Sequence, residues 1–305
     1  MRKTATILLL MLATYGIGQQ ENPEDSRNKF TDIPVLSKKI EIIEKGVKVG
    51  NVSFQYIPNY IYTSGIIFGT PVRLFVDDIE GMSSFEGLSY VLKKTRIIRL
   101  SDQDTLIDEP WQFADQGNGY RLAKGEALTY RLPITVGAPM YSGEYLWELH
   151  LADITSKKTV HISVKVPVIS NPSIQTETKG AATVREAYFF MPQTGMIITN
   201  NQIPASLLEL RFGGMTGFKL IQGKFNIGMA LEIFNEQQES IMKIEDATPN
   251  ESGIIKPVNG TLNVGGTYRF TSKFVGKKMY LTAQVWDKNG SGSSVIGKTL
   301  ITVVE

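Results

Sequence analysis

The chain of 305 residues predicts an all-β protein: two antiparallel β-sandwich domains in tandem, behind a leader. Three observations carry that expectation. Apolar residues alternate with polar ones along many short runs, which puts alternate side chains on opposite faces of a strand. Gly, Asn and Asp separate the runs at short intervals, as in sandwiches and barrels. The chain also repeats itself. Phe54-x-Tyr56-x-Pro58 is answered by Tyr188-x-Phe190-x-Pro192, Leu74 by Leu210, and Gly81 and Gly87 by Gly217 and Gly223. Leu122-x-x-Gly125 is answered by Leu262-x-x-Gly265, and Asp153 by Asp287. The matches keep one order with small changes of offset, the mark of two diverged copies of one fold. Each copy holds roughly 130 residues, an ordinary domain size.

Residues 1–18 read as a signal peptide. Arg2 and Lys3 give a positive start, Ile7 to Ala13 an apolar core, and Gly16 and Gly18 small residues before a cleavage point. The apolar run is much shorter than the ~20 residues that span a bilayer, so no membrane span is expected. The chain has no cysteine. That excludes a lipoprotein leader, disulfides, thiolate nucleophiles and cysteine-bound zinc. An exported chain of this size without a disulfide looks bacterial, and the expected location is periplasm, cell surface or medium. The net charge of +2 comes from 32 basic and 30 acidic residues; without Arg2 and Lys3 the balance is 30 against 30. No basic stripe is present, so nucleic acid is not an expected partner. Asn-Gly at 259–260 and 289–290 reads as turn chemistry.

Residues 19–37 are polar and aperiodic, a flexible arm. The first sandwich is expected over 38–168. Val72, Leu74 and Val76 alternate with Arg73 and Phe75. Tyr145, Trp147, Leu149 and Leu151 alternate with Leu146, Glu148, His150 and Ala152, and Val160 to Val166 alternate with His161, Ser163 and Lys165. Residues 169–173, around Pro172, form a short linker of restricted freedom. The second sandwich follows over 174–305, with strands through Tyr268, Met279 to Val285, and Leu300 to Val304. Little helix is expected: Ser84 to Lys94 and Ala205 to Leu210 have room for a helical turn or two but show no sustained 3.6-residue stripe with caps, and Gly213 to Gly217 reads as a bulge or turn. Tyr145-x-Trp147-x-Leu149-x-Leu151-Ala152-Asp153, a turn, and Val160-x-Ile162-x-Val164-x-Val166 resemble the last hairpin of a bacterial immunoglobulin-like or fibronectin-like domain. Met279-x-Leu281 to Asp287, then Lys298 to Val304, resembles the same hairpin. The resemblance covers the final third of each copy and lacks the Cys-Trp-Cys core of true immunoglobulin domains. It implies a sandwich and leaves the function open.

Two groups of residues invite chemistry. His150 and His161, the only histidines, fall opposite each other if residues 153–158 form the hairpin loop, on the face that also carries Glu148. Two imidazoles and a carboxylate can hold a divalent metal or make a pH-sensitive patch, because two imidazolium ions repel; the competing reading is two solvent-facing polar residues with no ligand. The second group is Asp108, Glu109, Trp111, Phe113, Asp115 and Tyr120, whose counterpart in the second copy has no aromatic residue. Tryptophan and tyrosine suit binding surfaces because they combine area with a polar handle. The competing reading has Trp111 and Phe113 plug the end of their own sandwich. Tyr60, Tyr62 and Phe68 form a further aromatic cluster. No cofactor is expected, although calcium suits the acidic stretches Asp102 to Asp115 and Asp77 to Glu80. Asp287 to Gly292 begins like a calcium loop but has Lys298 where a bidentate acid would stand. No facing carboxylate pair in a cleft and no Gly-x-Ser-x-Gly elbow stands out, so the chain is not expected to be an enzyme. The expected function is an exported, non-catalytic binding or structural protein that displays loops to an envelope or extracellular protein partner. Glycan binding through the first copy's aromatics is one alternative. An assembly subunit that exchanges a β-strand is the other.

Overall fold

The computed structural model describes residues 31–32, 34–56, 65–114, 120–121, 127–137 and 140–305. The leader, most of the arm, Pro58, Tyr60, Tyr62, Asp115, Leu122 and Gly125 lie outside the described residues, as does the side chain of Tyr120.

The first copy contributes β1 (Thr31–Asp32), α1 (Pro34–Ser37), β2 (Glu41–Lys45), β3 (Lys48–Tyr56), β4 (Ile66–Ile67) and β5 (Pro71–Glu80). It continues with β6 (Leu88–Ser89), β7 (Val91–Arg99), β8 (Thr105–Asp108), β9 (Gln112–Phe113) and β10 (Tyr120–Arg121). It closes with β11 (Leu128–Thr135), β12 (Gly143–Asp153) and β13 (Thr159–Ile169). The second copy contributes β14 (Ile174–Lys179), β15 (Glu186–Met191), β16 (Met196–Ile198), β17 (Gln202–Pro204), β18 (Leu207–Met215) and β19 (Phe225–Phe234). It ends with β20 (Ser240–Ile244), β21 (Ile254–Ile255), β22 (Leu262–Arg269), β23 (Lys278–Asp287) and β24 (Ser294–Val304).

The protein is all-β, with sheets in two groups. In the first group, sheet β1-β3-β5-β11 faces sheet β2-β13-β12-β7-β8. Their inner side chains form one core, in which the Phe54 and Trp147 rings meet at 5.5 Å. In the second group, sheet β16-β15-β18-β22 faces β14-β24-β23-β19-β20 over a separate core. The larger sheets have the same strand order. Even their accessories match: β4 lies parallel to β13 as β17 lies parallel to β24, and β9 adds to β7 as β21 adds to β19. Burial of alternate residues drives this arrangement, and every second residue of β13, β23 and β24, and of β12 from Tyr145 onward, is buried.

The repeat also holds at single residues. Gly81 and Gly217 both take positive φ, 86° and 81°. Glu86-Gly87 and Gln222-Gly223 are paired in the same way, all four with φ between 51° and 77°. Positive φ at two successive residues marks a tight type I′ hairpin turn, so Ser84 to Lys94 turns and enters β6 and β7 and is not helical. Ala205 to Leu210 likewise runs into β18. One sequence match is off by a residue. Phe54 pairs with Leu74, whereas Leu210 pairs with Phe189 and not with Tyr188. A slip of one residue turns every side chain to the other face, so Phe189 is the core counterpart of Phe54. The expected arm is also too long: Leu36 is buried in the first core, and the Ser37 hydroxyl accepts the Phe54 N–H at 3.1 Å.

Residues near the 169–173 linker tie the two groups together. Asn171 is buried, with its Oδ1 accepting the Ser173 N–H at 2.9 Å. Phe68 packs between Tyr141 and Tyr188, ring centroids 5.8 and 5.0 Å away. The Tyr141 hydroxyl donates to Asn263 Oδ1 at 3.2 Å. Tyr141 comes this near because Gly213 carries no Cβ: one placed there would lie 2.7 Å from the ring. Gly213 belongs to the expected bulge, which appears as a register shift between Phe212 and Met215. Glu186, 2% exposed, accepts from Ser142 N and Ser170 Oγ at 3.3 and 3.2 Å.

Candidate functional site

The outer face of sheet β2-β13-β12-β7-β8 carries most of the residues singled out above. Because Tyr145, Trp147, Leu149 and Leu151 fill the core, Glu148 and His150 must point outward. His161 lies directly opposite His150 on β13. The row extends over four strands, with Ile43 beyond His161 and Lys94 beyond His150. The two imidazole rings stack at 4.1 Å, only 5° from parallel. Two imidazolium charges that close would repel by about 4 kcal/mol at an effective dielectric of 20. Burial, and then His161, hold His150 below the usual histidine range, while Glu148 pulls the other way.

Glu148 joins the two groups of charge. Its Oε1 lies 3.4 Å from His161 Nε2, and its Oε2 accepts from Arg96 Nη1 at 3.1 Å. His161 Nε2 is buried and makes no hydrogen bond among the described residues. The donor atoms of Glu148, His150 and His161 all lie within 4.8 Å of one another, the one such set of three among the described residues. These are the residues that can hold a metal ion.

The aromatic group meets this cluster through Trp111. Its ring sits edge-on to His150, centroids 6.2 Å apart. Ile43, Lys45, Trp111, His150, Thr159 and His161 bound a groove of about 290 Å³. Trp111 is 48% exposed and Phe113 42%, so neither plugs the sandwich end. Phe113 is held on β9 opposite Leu92. Asp108 reaches the face as a partner of Lys94 at 2.9 Å, and that bond lowers its pKa first. Glu109 accepts from Gln112 Nε2 at 3.2 Å. Tyr120 is placed elsewhere, on β10 opposite Ser89.

Acids of both stretches already have protein partners. Asp102 and Asp104 both face Arg99, at 2.8 and 3.6 Å, and Asp77 accepts from the Thr129 hydroxyl. No three acids of these stretches converge among the described residues. Phe68 belongs to the joint and not to a binding surface. Sequence reasoning missed Ile43 and Lys45 of β2, which line the groove. Ile42-Ile43 between charged residues was the available signal. It also missed Glu186 and Tyr141, because contacts between copies leave no periodicity. In the second copy, Gln284, Ile296 and Thr282 stand where His150, His161 and Glu148 stand in the first.

No protein-family profile and no curated protein matches the chain. Among solved structures it is similar to "pT26-6p", at 10% identity and TM-score 0.28, covering 92% of this chain and 72% of that one. It is also similar to a Bacteroides uniformis beta-glucuronidase 2, at 8% identity and TM-score 0.23, covering 78% of this chain and 26% of that one. The two immunoglobulin domains of DIP-gamma match at 10% identity and TM-score 0.20, covering 86% and 99%. Likeness at this level carries no functional argument. No helix among the described residues is long and apolar enough to cross a membrane.

Proposed function

We propose that the protein is an exported, non-catalytic binding protein. It presents the outer face of its first sandwich to an envelope or extracellular protein, and the second sandwich supports it. One observation carries the reading: Trp111 and Phe113 project into solvent beside a groove lined by polar and apolar side chains. Exposed aromatic anchors within a charged surround are the usual centre of a protein interface. The leader-like residues 1–18 support export, and the lack of cysteine argues against a lipoprotein. The same exposure favours glycan stacking as the second reading. Strand exchange is less favoured, because the edge strand β2 carries Glu41, Glu44 and Lys45, charges that discourage edge pairing.

The test is a pull-down from solubilised envelope and medium of the source cells, with the chain lacking residues 1–18 as bait. A Trp111→Ala, Phe113→Ala variant runs beside it, with Tyr280→Ala, an exposed aromatic on β23 of the second sandwich, as the control. A protein retained by the parent and the control but lost by the double variant is the expected result. Equal capture by all three baits defeats the reading. Retained polysaccharide in place of protein transfers it to glycan binding.

A further inference from the structure

We propose that Glu148, His150 and His161 form a site for one divalent transition-metal ion of the zinc type, with one coordination position open to the groove under Trp111. The site stands on its own geometry; only its use as a bridge to a partner rests on the function proposed above. The three donors are a two-histidine, one-carboxylate set, a combination that binds zinc while leaving a fourth position free. All three project from paired strands of one hairpin, so the backbone fixes their spacing. Zinc bonds of about 2.0–2.2 Å hold tetrahedral ligand atoms roughly 3.4 Å apart. The present limit of 4.8 Å closes to that by rotation of the imidazoles. The parallel stack must then splay, because ring lone pairs lie in the ring plane and parallel rings cannot aim both at one ion.

Two further features fit an ion. His161 Nε2 is buried beside Glu148 Oε1 with no hydrogen bond among the described residues, an orphan that a metal would satisfy. The cations nearest the cluster are already held, Lys94 by Asp108 and Arg96 by Glu148 Oε2, which leaves Oε1 free to ligate. Lys45 lines the same groove. With an ion in place the groove is positive, so its open position suits a carboxylate of the partner.

The test uses the chain purified without a histidine tag and treated with chelator. Zn²⁺ is titrated by calorimetry and Co²⁺ by visible absorption, with imidazole ¹⁵N signals followed in parallel. The expected result is one ion per chain, tetrahedral Co²⁺ bands, and shifts in both imidazoles as the stack opens. His150→Ala and His161→Ala should each weaken binding by at least about 100-fold, since even the outer partners of metal ligands are worth 10–100-fold. Circular dichroism and thermal unfolding establish that each variant is folded. The Phe113→Ala variant, altered at a residue that does not line the groove, should bind the ion with unchanged stoichiometry, which separates this site from the partner contact. Absence of saturable binding, or binding undiminished in both histidine variants, overturns the site. If the ion binds but chelator leaves partner capture unchanged, the site stands and its bridging role falls.

Discussion

Asp153 and Asp287 show what the repeat preserves at the scale of one residue. Both are buried at the end of the penultimate strand of their copy. Asp153 accepts from Ser83 N at 2.6 Å and Thr155 N at 2.8 Å; Asp287 accepts from Lys219 N and Asn289 N, both at 2.8 Å. Each carboxylate ties its own turn to a loop of the facing sheet. Burial pushes the Asp153 pKa up, but the hydrogen bonds from Ser83 and Thr155 outweigh it and hold the group at about 2. Its folded value lies below the unfolded one, so its contribution is present above about pH 4 and fades as pH falls toward 2. Asp153→Ala removes the acceptor of two part-buried amides and should cost about 1–2 kcal/mol in urea unfolding. A loss under half of that would show that water replaces the carboxylate. The aspartates were legible only as matched letters; their shared duty needed the loops in place.

At the scale of elements, the hairpins were the legible part. Counting a loop over 153–158 placed His150 opposite His161, as the strands do. The turns were less legible, because Glu86 and Gln222 are poor markers for positive φ. Gln222 occupies the first central position of a turn closed by hydrogen bonds between Ile221 and Lys224. Gln222→Asn should stabilise the protein by up to about 1 kcal/mol, since asparagine tolerates the left-handed region better. An unchanged or lower midpoint of denaturation would refute that account. The Phe54 to Tyr188 match failed for a physical reason. Aromatic residues on both faces of β15 give no alternation, and only the pairing of Phe189 with Leu210 resolves the register.

At the scale of the molecule, the joint holds a buried acid. Burial raises the Glu186 pKa to about 7, against hydrogen bonds from Ser170 and Ser142. A carboxyl whose folded value is raised stabilises most fully when protonated, below its unfolded pKa of about 4.5, and that contribution is lost as pH rises through about 7. A shift of this size corresponds to something on the order of 3 kcal/mol. The unfolding temperature should therefore fall between about pH 5 and about pH 8, and Glu186→Gln should flatten that slope. A slope unchanged in the variant would place its origin elsewhere. The candidate face lies outside this joint, and the second copy keeps the frame with Gln284, Ile296 and Thr282 where the first has His150, His161 and Glu148.

The shared strand order also bears on how faithfully the chain folds. Two copies in one polypeptide offer each strand a rival partner, and tandem domains misassemble by such exchange. The outer-face pair Gly228 and Trp286 discriminates between them. They are directly opposite on β19 and β23, and a Cβ on Gly228 would lie 2.0 Å from the indole. The corresponding pair in the first copy is Leu92 and Ala152. A crossed hairpin would drive the indole of Trp286 into Leu92, or set Ala152 over Gly228 and leave a hole. The complementary bulk of this single cross-strand pair thus distinguishes the two hairpins, each fitting its own partner strand better than the other's.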